Sequence, residues 1–431
     1  MLKPSYNEQI NSAFESIVQR GFKISDELKS WIVCSPFPQQ AIADLENLLK
    51  HFPNCLEGDE QSVNQSLAVL GYSQFLSRRL IRHPSWVKEL RESNNLDRPR
   101  LDAELSENLI NKIKSKKIWT SKDLKNLLRR FKYQGYYRLT VRDLLKIPTD
   151  EVILAELTSL TKITLDWAFR AATLEAQQFE LSSKFLMSNA IRPPFLILGM
   201  GKLGGQEINY SSDVDLIFVH DENPITGDEA KDQKLRQKIA RTFIEWSTEH
   251  TEEGFLARVD MRLRPGGDSS ALVLPLQQVE AYYWSKAALW EQQALIKASY
   301  VAGDNEIGEI FFRSINPYIY RKSVDENLLE GVVEIKEMIE KEHLRESQLN
   351  VKLGVGGIRE VEFFVQIFQL LYGGIRSELR EQNTLKSLSV LTQAGILSNE
   401  DGTTLRECYL ILRKYEHRLQ MMDEQQIHTL P

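Results

Sequence analysis

A length of 431 residues exceeds one ordinary domain and predicts roughly two to four folded units. A composition 42% hydrophobic and 26% charged is that of a globular chain with enough apolar surface for a sizeable core, which excludes extensive disorder. A formal net charge of -6 leaves no footprint for a phosphate backbone, so nucleic acid is not expected as the main partner. Three widely spaced cysteines (Cys34, Cys55, Cys408) form neither a disulfide framework nor a zinc pattern, and no apolar run approaches the ~18 residues that span a bilayer. The segment after Met1 lacks a signal-peptide core. The expected compartment is therefore a reducing cytoplasm, with no membrane partner.

From the N-terminus, Ile10, Phe14, Ile17 and Val18 recur at helical spacing, as do Leu67, Leu70, Phe75, Leu76 and Leu80. Pro84 sets off an element beginning at Trp86, and residues 1–150 read as a mainly α region with Ser93 to Arg100 as an internal loop. A long helix is predicted from Glu151 towards Leu186. At Pro193 and Pro194 the character changes. The short apolar run Phe195 to Leu198 runs into glycines, as a buried strand entering a turn does, and Val214 to Val219 and Phe255 to Leu263 are also strand-like. Helical composition fills Asp232 to His250. Beyond about residue 310 helices return, and Leu405, Cys408, Leu412, Tyr415, Leu419 and Met422 step by three and four, predicting an apolar helix face. The expected fold is α+β, mostly α: an N-terminal helical region (1–150), a catalytic region with a mixed sheet (151–310) and a C-terminal helical bundle (311–431).

The most informative stretch is Gly199-Met200-Gly201-Lys202-Leu203-Gly204-Gly205, followed by Ser211-Ser212-Asp213-Val214-Asp215. On an extended strand residues two apart share a face, so Asp213 and Asp215 point together while Val214 enters the core. Two carboxylates held close repel, and a divalent cation between them relieves that repulsion, which makes the pair a candidate magnesium or manganese site. Alone, Asp-x-Asp reads more readily as a solvated turn. The preceding glycine turn changes that reading, because it lets backbone approach a phosphate next to the carboxylates. It is neither a Walker A loop nor a dinucleotide fingerprint. In the third strand, alternation places Ala257, Val259, Met261 and Leu263 on one face and Arg258, Asp260, Arg262 and Arg264 on the other; a plain surface strand would more often carry mixed polar residues there. Three carboxylates with several guanidinium groups suit metal-assisted transfer at phosphorus, with arginines forking onto phosphate oxygens. No Ser-His-Asp, Cys-His or HExxH pattern competes.

The spacing of this turn, the Asp-x-Asp and a later strand Asp resembles the polymerase-beta-like nucleotidyltransferase superfamily, with Gly201-Lys202 where most members carry Gly-Gly or Gly-Ser. Segments 196–218 (LILGMGKLGGQEINYSSDVDLIF), 258–267 (RVDMRLRPGG), 352–370 (KLGVGGIREVEFFVQIFQL) and 417–431 (HRLQMMDEQQIHTLP) resemble, in the same order, the glutamine synthetase adenylyltransferase family. Its members resemble two copies of one module, an N-terminal copy that removes AMP from glutamine synthetase and a C-terminal copy that attaches it. Gly-Met-Gly-Lys-Leu-Gly-Gly is similar to the N-terminal copy, since the other tends to carry tyrosine before Gly-Lys. A single motif set ending at Pro431 is then expected to be part of a chain about twice as long.

The resemblance implies phosphorolysis: inorganic phosphate attacks the AMP phosphorus on a tyrosine of adenylylated glutamine synthetase, giving ADP. By motif, Asp213, Asp215 and Asp260 carry over as catalytic metal ligands for Mg2+ or Mn2+. Gly201, Lys202 and Ser212 lie at the phosphate, and Arg262 and Arg264 are candidates for AMP or phosphate contacts. Regulation by the uridylylated PII signal protein is implied in the same way. The Gly354-Val355-Gly356-Gly357 stretch marks either close packing or a device that brings Arg359, Glu360 and Glu362 to the cleft. Lys297 reads as a snorkelling surface lysine before a nucleotide contact, and Trp290, Tyr282 and Tyr283 as core residues before adenine platforms. Competing readings are a nucleotidyltransferase acting on a small molecule or on PII, and a docking module without catalysis.

Overall fold

Helix starts are written locally. The Ser25 hydroxyl accepts from the Leu28 N–H at 3.1 Å to open helix Asp26–Val33, and the Asp59 carboxylate accepts from Ser62 N–H at 2.9 Å ahead of Glu60–Leu67. Pro38 stands in the first turn of Pro38–His51, where a missing N–H costs nothing. The computed structural model describes residues 4–93, 96–100, 102–147, 149–188, 193–322, 326–343 and 350–430. Ile10, Phe14, Ile17, Leu67, Leu70, Phe75, Leu76 and Leu80 are buried as their spacing predicts, but Val18 is not, at 49% exposed.

Two compact units form, one from Met1–Arg100, Tyr133–Glu156 and His417–Ile427, the other from Leu101–Lys132, Leu157–Glu416 and His428–Pro431. In the first, buried Glu156 takes Arg138 at 2.9 Å and also Arg142, so the acid that enters the core does so paired. The principal helices of the chain are α1 (Ser121–Leu144), α2 (Asp150–Ala176), α3 (Gly201–Gly204), α4 (Glu229–Thr248), α5 (Ile358–Tyr372) and α6 (Asn399–Asp423). Among the described residues no helix is long and apolar enough to cross a membrane.

The second unit carries the mixed five-stranded sheet: β1 (Leu196–Gly199), β2 (Asp213–His220), β3 (Arg258–Asp260), β4 (Val273–Pro275) and β5 (Ser299–Gly303). β1 lies antiparallel to β2 and β5, while β3 and β4 both run parallel to β2, β3 beside its acidic start and β4 beside Phe218–His220. Phe195 and Phe218 bring the sheet against Phe169 of α2 and Phe243 of α4. Ring centroids lie 4.8 Å apart for Phe169–Phe195 and 5.8 Å for Phe218–Phe243, in the tilted and edge geometries that aromatic quadrupoles favour. The architecture is the expected α+β, mostly helical one.

Two expectations about elements fail, and a third holds only in part, for identifiable reasons. The helix expected to run from Glu151 towards Leu186 stops at Ala176: Gln178 adopts φ 63°, and the Phe179 N–H returns to the Leu174 carbonyl as a left-handed cap. The third strand is only Arg258–Asp260. From Met261 the chain turns, with Arg264 N–H on the Met261 carbonyl and Gly266 and Gly267 at φ 75° and 53°, so the alternation of sequence does not continue as alternation of faces. On α6 the predicted face holds in part: Leu419 is buried and Leu405 and Leu412 pack on the core, but Cys408 and Tyr415 are exposed, and Tyr409, Arg413, Glu416 and Gln420 form a buried row beside it.

Gly204 shows how closely the sheet end is packed. A Cβ there would stand 1.8 Å from the Lys297 carbonyl oxygen, which is backbone and cannot swing aside. Gly204→Ala is expected to lower stability by about 1–3 kcal/mol or more, read as a shift of the urea unfolding midpoint. An unchanged midpoint would show that the backbone here yields to a methyl group without cost.

Candidate functional site

Parallel pairing of β2 with β3 sets Asp213 opposite Arg258 and Asp215 opposite Asp260. Val214, between the two acids, is buried at 1% exposure, so the face it leaves to Asp213 and Asp215 is the one predicted from strand period. Asp215 is the most strained electrostatically. Burial, then the Asp260 and Asp213 carboxylates, push it up to about 6, while Lys352 and Arg262 pull the other way. Asp260 is lowered instead, chiefly because the Arg262 side chain donates to its Oδ1 at 3.0 Å and Oδ2 at 2.8 Å.

The glycine segment is the start of α3. Met200 N–H donates to the Asp215 carbonyl at 2.9 Å, and Gly201 sits at φ 51° with its missing Cβ 2.9 Å from Asp215 Oδ2. Any side chain at 201 would therefore meet both a disfavoured backbone conformation and the carboxylate itself. Ser212 closes the turn into β2, its hydroxyl accepting from Asn209 N–H at 3.0 Å. The structure thus brings Gly201, Ser212, Asp213, Asp215, Asp260 and Arg262 to one strand end. Arg262 is largely exposed there.

Arg264 stands near enough for its charge to help lower Asp260, but its own hydrogen bonds go to the turn. It is 6% exposed, and its guanidinium donates to the Met261 carbonyl at 2.6 Å and to Asp268 at 3.4 Å, so it ties the turn after β3. Because that strand ends at Asp260, the periodicity that placed Arg264 on the acidic face no longer applied. Arg258 is also engaged, donating to Ser211 and lying over the Phe255 ring at 4.6 Å.

Lys297, expected at the surface, is 5% exposed and binds Glu362 Oε1 at 3.0 Å and Glu207 Oε2 at 3.5 Å. It belongs to a buried cluster that sequence reasoning missed. The Tyr409 hydroxyl lies 2.6 Å from Glu207 Oε2 and 3.0 Å from Glu362 Oε1. Arg413 donates to the Glu207 carbonyl and to Asn209 Oδ1 at 3.1 Å. Glu416 takes Lys202, Asn209 Nδ2 at 2.6 Å and His428 Nδ1 at 3.1 Å. Three cations (Lys202, Lys297, Arg413) thus face three carboxylates (Glu207, Glu362, Glu416), which is how a low-dielectric interior tolerates charge. The only sequence signal was the helical period of Tyr409, Arg413, Glu416 and Gln420, obscured by the parallel apolar one. Of the 352–362 segment, Glu362 joins this cluster, and Glu360 accepts from Gly356 N–H at 3.1 Å, bracing the glycine turn. Tyr283 is buried as expected, whereas Trp290 is 42% exposed and is no core residue.

Burial opposes the charges of Glu362, Glu416, Lys297 and Arg413, and the opposite charges around them override it. Lys297, then Arg413 and Lys202, bring Glu362 to about 2 despite its burial. Lys202, His428 and Arg413 likewise hold Glu416 well below the ordinary carboxylate range. Burial draws Lys202 down to about 8 against the pull of Glu416; the direction the pair fixes is that of Glu416, which stays ionised. Depressed carboxylates contribute stability above their ordinary pKa near 4.5 that is lost as pH falls towards the folded value. Acid unfolding is therefore expected to steepen between pH 4.5 and about 2, and Glu362→Gln to flatten that limb. Identical limbs for the two proteins would remove Glu362 from the linkage.

Hard carboxylate oxygens and the unbalanced repulsion at Asp215 suit Mg2+ or Mn2+. A closed cage is not preformed, since among the described residues no three His, Cys, Asp or Glu side chains gather at ligand spacing, and Asp260 is occupied by Arg262. The fit is that of an open, carboxylate-rich edge.

Fold and site together define a mostly helical α+β protein with an acidic parallel strand pair packed on a glycine-opened helix. Residues 63–314 match the family model described as glutamate-ammonia ligase adenylyltransferase, and the chain belongs to that family. Residues 333–431 match a second model, GlnD PII-uridylyltransferase. The bifunctional glutamine synthetase adenylyltransferase/adenylyl-removing enzyme of Nitrosococcus oceani is 35% identical over 398 residues, 90% of this chain and 41% of that protein. Those of Hahella chejuensis and Shewanella oneidensis are also 35% identical, over 85% and 84% of this chain and 38% of each relative. The chain spans about two-fifths of the length of the curated relatives it matches.

Proposed function

We propose that this chain removes AMP from adenylylated glutamine synthetase in the cytoplasm, with inorganic phosphate as the attacking group and ADP as the product. The observation that carries the reading is the convergence of Asp213, Asp215 and Asp260 beside Gly201, where backbone approaches a carboxylate as it would a phosphate. Family membership and the names of the relatives support the protein substrate. The similarity of 333–431 to a PII-uridylyltransferase family model supports the PII signal protein as the regulator.

Asp213, Asp215 and Asp260 would hold the divalent cation, which when bound neutralises charge building on the phosphorus oxygens. The protein's own part is placement. Gly201 keeps the wall of the site at backbone thickness, and Ser212 fixes the entry to β2 so that the two acids of that strand stay in register with Asp260. Arg262, exposed and held among the described residues by Asp260, can exchange that carboxylate for a phosphate oxygen when the nucleotide arrives. No side chain needs to act as a nucleophile.

The direct test incubates the protein with adenylylated glutamine synthetase, magnesium and phosphate, with and without uridylylated PII. ADP is expected to appear in proportion to restored synthetase tyrosine. AMP release without phosphate would change the reaction to hydrolysis, and no nucleotide release under either condition would remove the catalytic reading.

A further inference from the structure

The Lys202 ammonium is held by a residue more than two hundred positions away. Glu416, on α6, is fully buried and spends both oxygens: Oε1 on Lys202 and His428, Oε2 on Asn209 and, at 3.7 Å, Arg413. Lys202 follows Gly201, which packs against Asp215, so what fixes Lys202 acts one residue from the acidic strand. Its side chain keeps 14% exposure where Glu416 has none, so Lys202 is the less enclosed partner of the pair. An ammonium has three N–H donors. One goes to Glu416, so two more donors can serve an anion that reaches the ammonium.

We propose that Glu416 is a positioning residue for the phosphate co-substrate: it orients Lys202 so that its remaining donors meet phosphate beside Asp213 and Asp215. The inference rests on the phosphorolytic reading above and deepens it. It also gives the C-terminal segment a role at the site, because Glu416 lies in residues 333–431 while Lys202 lies in the stretch matched by the adenylyltransferase model. The bundle helix sets the reach of the lysine that the glycine turn presents. Asn209, two residues from Ser211 and bound to the same carboxylate, ties this arrangement to the turn that starts β2.

The experiment is steady-state deadenylylation by the full chain at varied phosphate. Loss of one charge-assisted contact to phosphate corresponds to roughly a tenfold change in apparent affinity. Lys202→Met is expected to raise KM for phosphate about tenfold with kcat changed by less than about threefold, and Glu416→Gln to do the same, whereas Glu416→Asp recovers part of the loss. If Glu416→Gln does not fold, the double variant Lys202→Met/Glu416→Gln removes one charge of each sign and keeps the cluster balanced. Its phosphate KM should equal that of Lys202→Met alone, because Glu416 acts through Lys202. A further rise in the double variant, or a phosphate KM in Lys202→Met equal to the wild type, overturns the proposal while leaving deadenylylation standing. Wild-type protein that releases no ADP would overturn both, and it is measured first.

Discussion

Asp215→Asn is expected to abolish turnover while making the metal-free protein more stable. The first half follows from charge. Asp215 lies in register with Asp260 and one residue removed from Asp213, so it is the carboxylate on which the other two converge. An amide of the same shape cannot neutralise positive charge or bind a hard cation as a carboxylate does, and losses of about a thousandfold or more accompany removal of such a group. The second half follows from the cost the carboxylate bears without a cation. Burial and its two neighbours raise it from the ordinary value to about 6, so the folded state binds a proton more readily than the unfolded chain. Stability of the wild type in chelator should therefore fall as pH climbs from about 4 to about 6, and the Asn variant should escape that fall. A gain of about 1–2 kcal/mol at neutral pH is expected, allowing for the partial exposure of the site. Activity lost together with a lowered unfolding midpoint would mean that Asp215 is structural, and near-normal turnover would place the acidic site elsewhere.

What the sequence disclosed and what it concealed divide along physical lines. β2 could be read because its two-residue period, Val214 inward and two acids outward, is enforced by burial on one face. The turn after β1 could be read because glycine is required at Gly201 by both φ and the neighbouring carboxylate. Arg264 could not, since its fate depended on where β3 ended, and that is decided by the left-handed glycines beyond it. Lys297 and Glu416 were misjudged or missed for a different reason: a lone lysine or glutamate is ordinarily solvated, and only a partner brought from far along the chain makes its burial affordable. The α6 face shows both effects at once. Apolar and polar residues there share nearly the same period, and the helix turns both inward: Leu405, Leu412 and Leu419 pack on the apolar side while tertiary pairing buries Tyr409, Arg413, Glu416 and Gln420 beside them.

Arg413→Met is expected to destabilise the second unit by about 3–5 kcal/mol, the usual cost of leaving buried charge without its partner. Arg413 is 1% exposed, donates to the Glu207 carbonyl and Asn209, and faces Glu416 at 3.7 Å. Burial works against its charge, yet Tyr409, Glu416, Glu207 and Glu362 together hold it above the ordinary arginine value. Methionine fills much of the volume, so the loss would be electrostatic more than steric. Without the guanidinium, Glu207, Glu362 and Glu416 would outnumber Lys202 and Lys297, and Glu362 and Glu416 would rise towards their ordinary pKa. That gives the deficit a signature beyond its size. The wild type loses its carboxylate contribution as pH falls below 4.5, whereas the variant has less to lose, so the gap in unfolding free energy should narrow on acidification. Arg413→Met/Glu416→Gln, which restores the balance of sign, should recover part of the stability at neutral pH. A gap that stays constant from pH 7 to pH 3, with no recovery in the double variant, would show that Arg413 serves the core by its shape and hydrogen bonds and not by its charge.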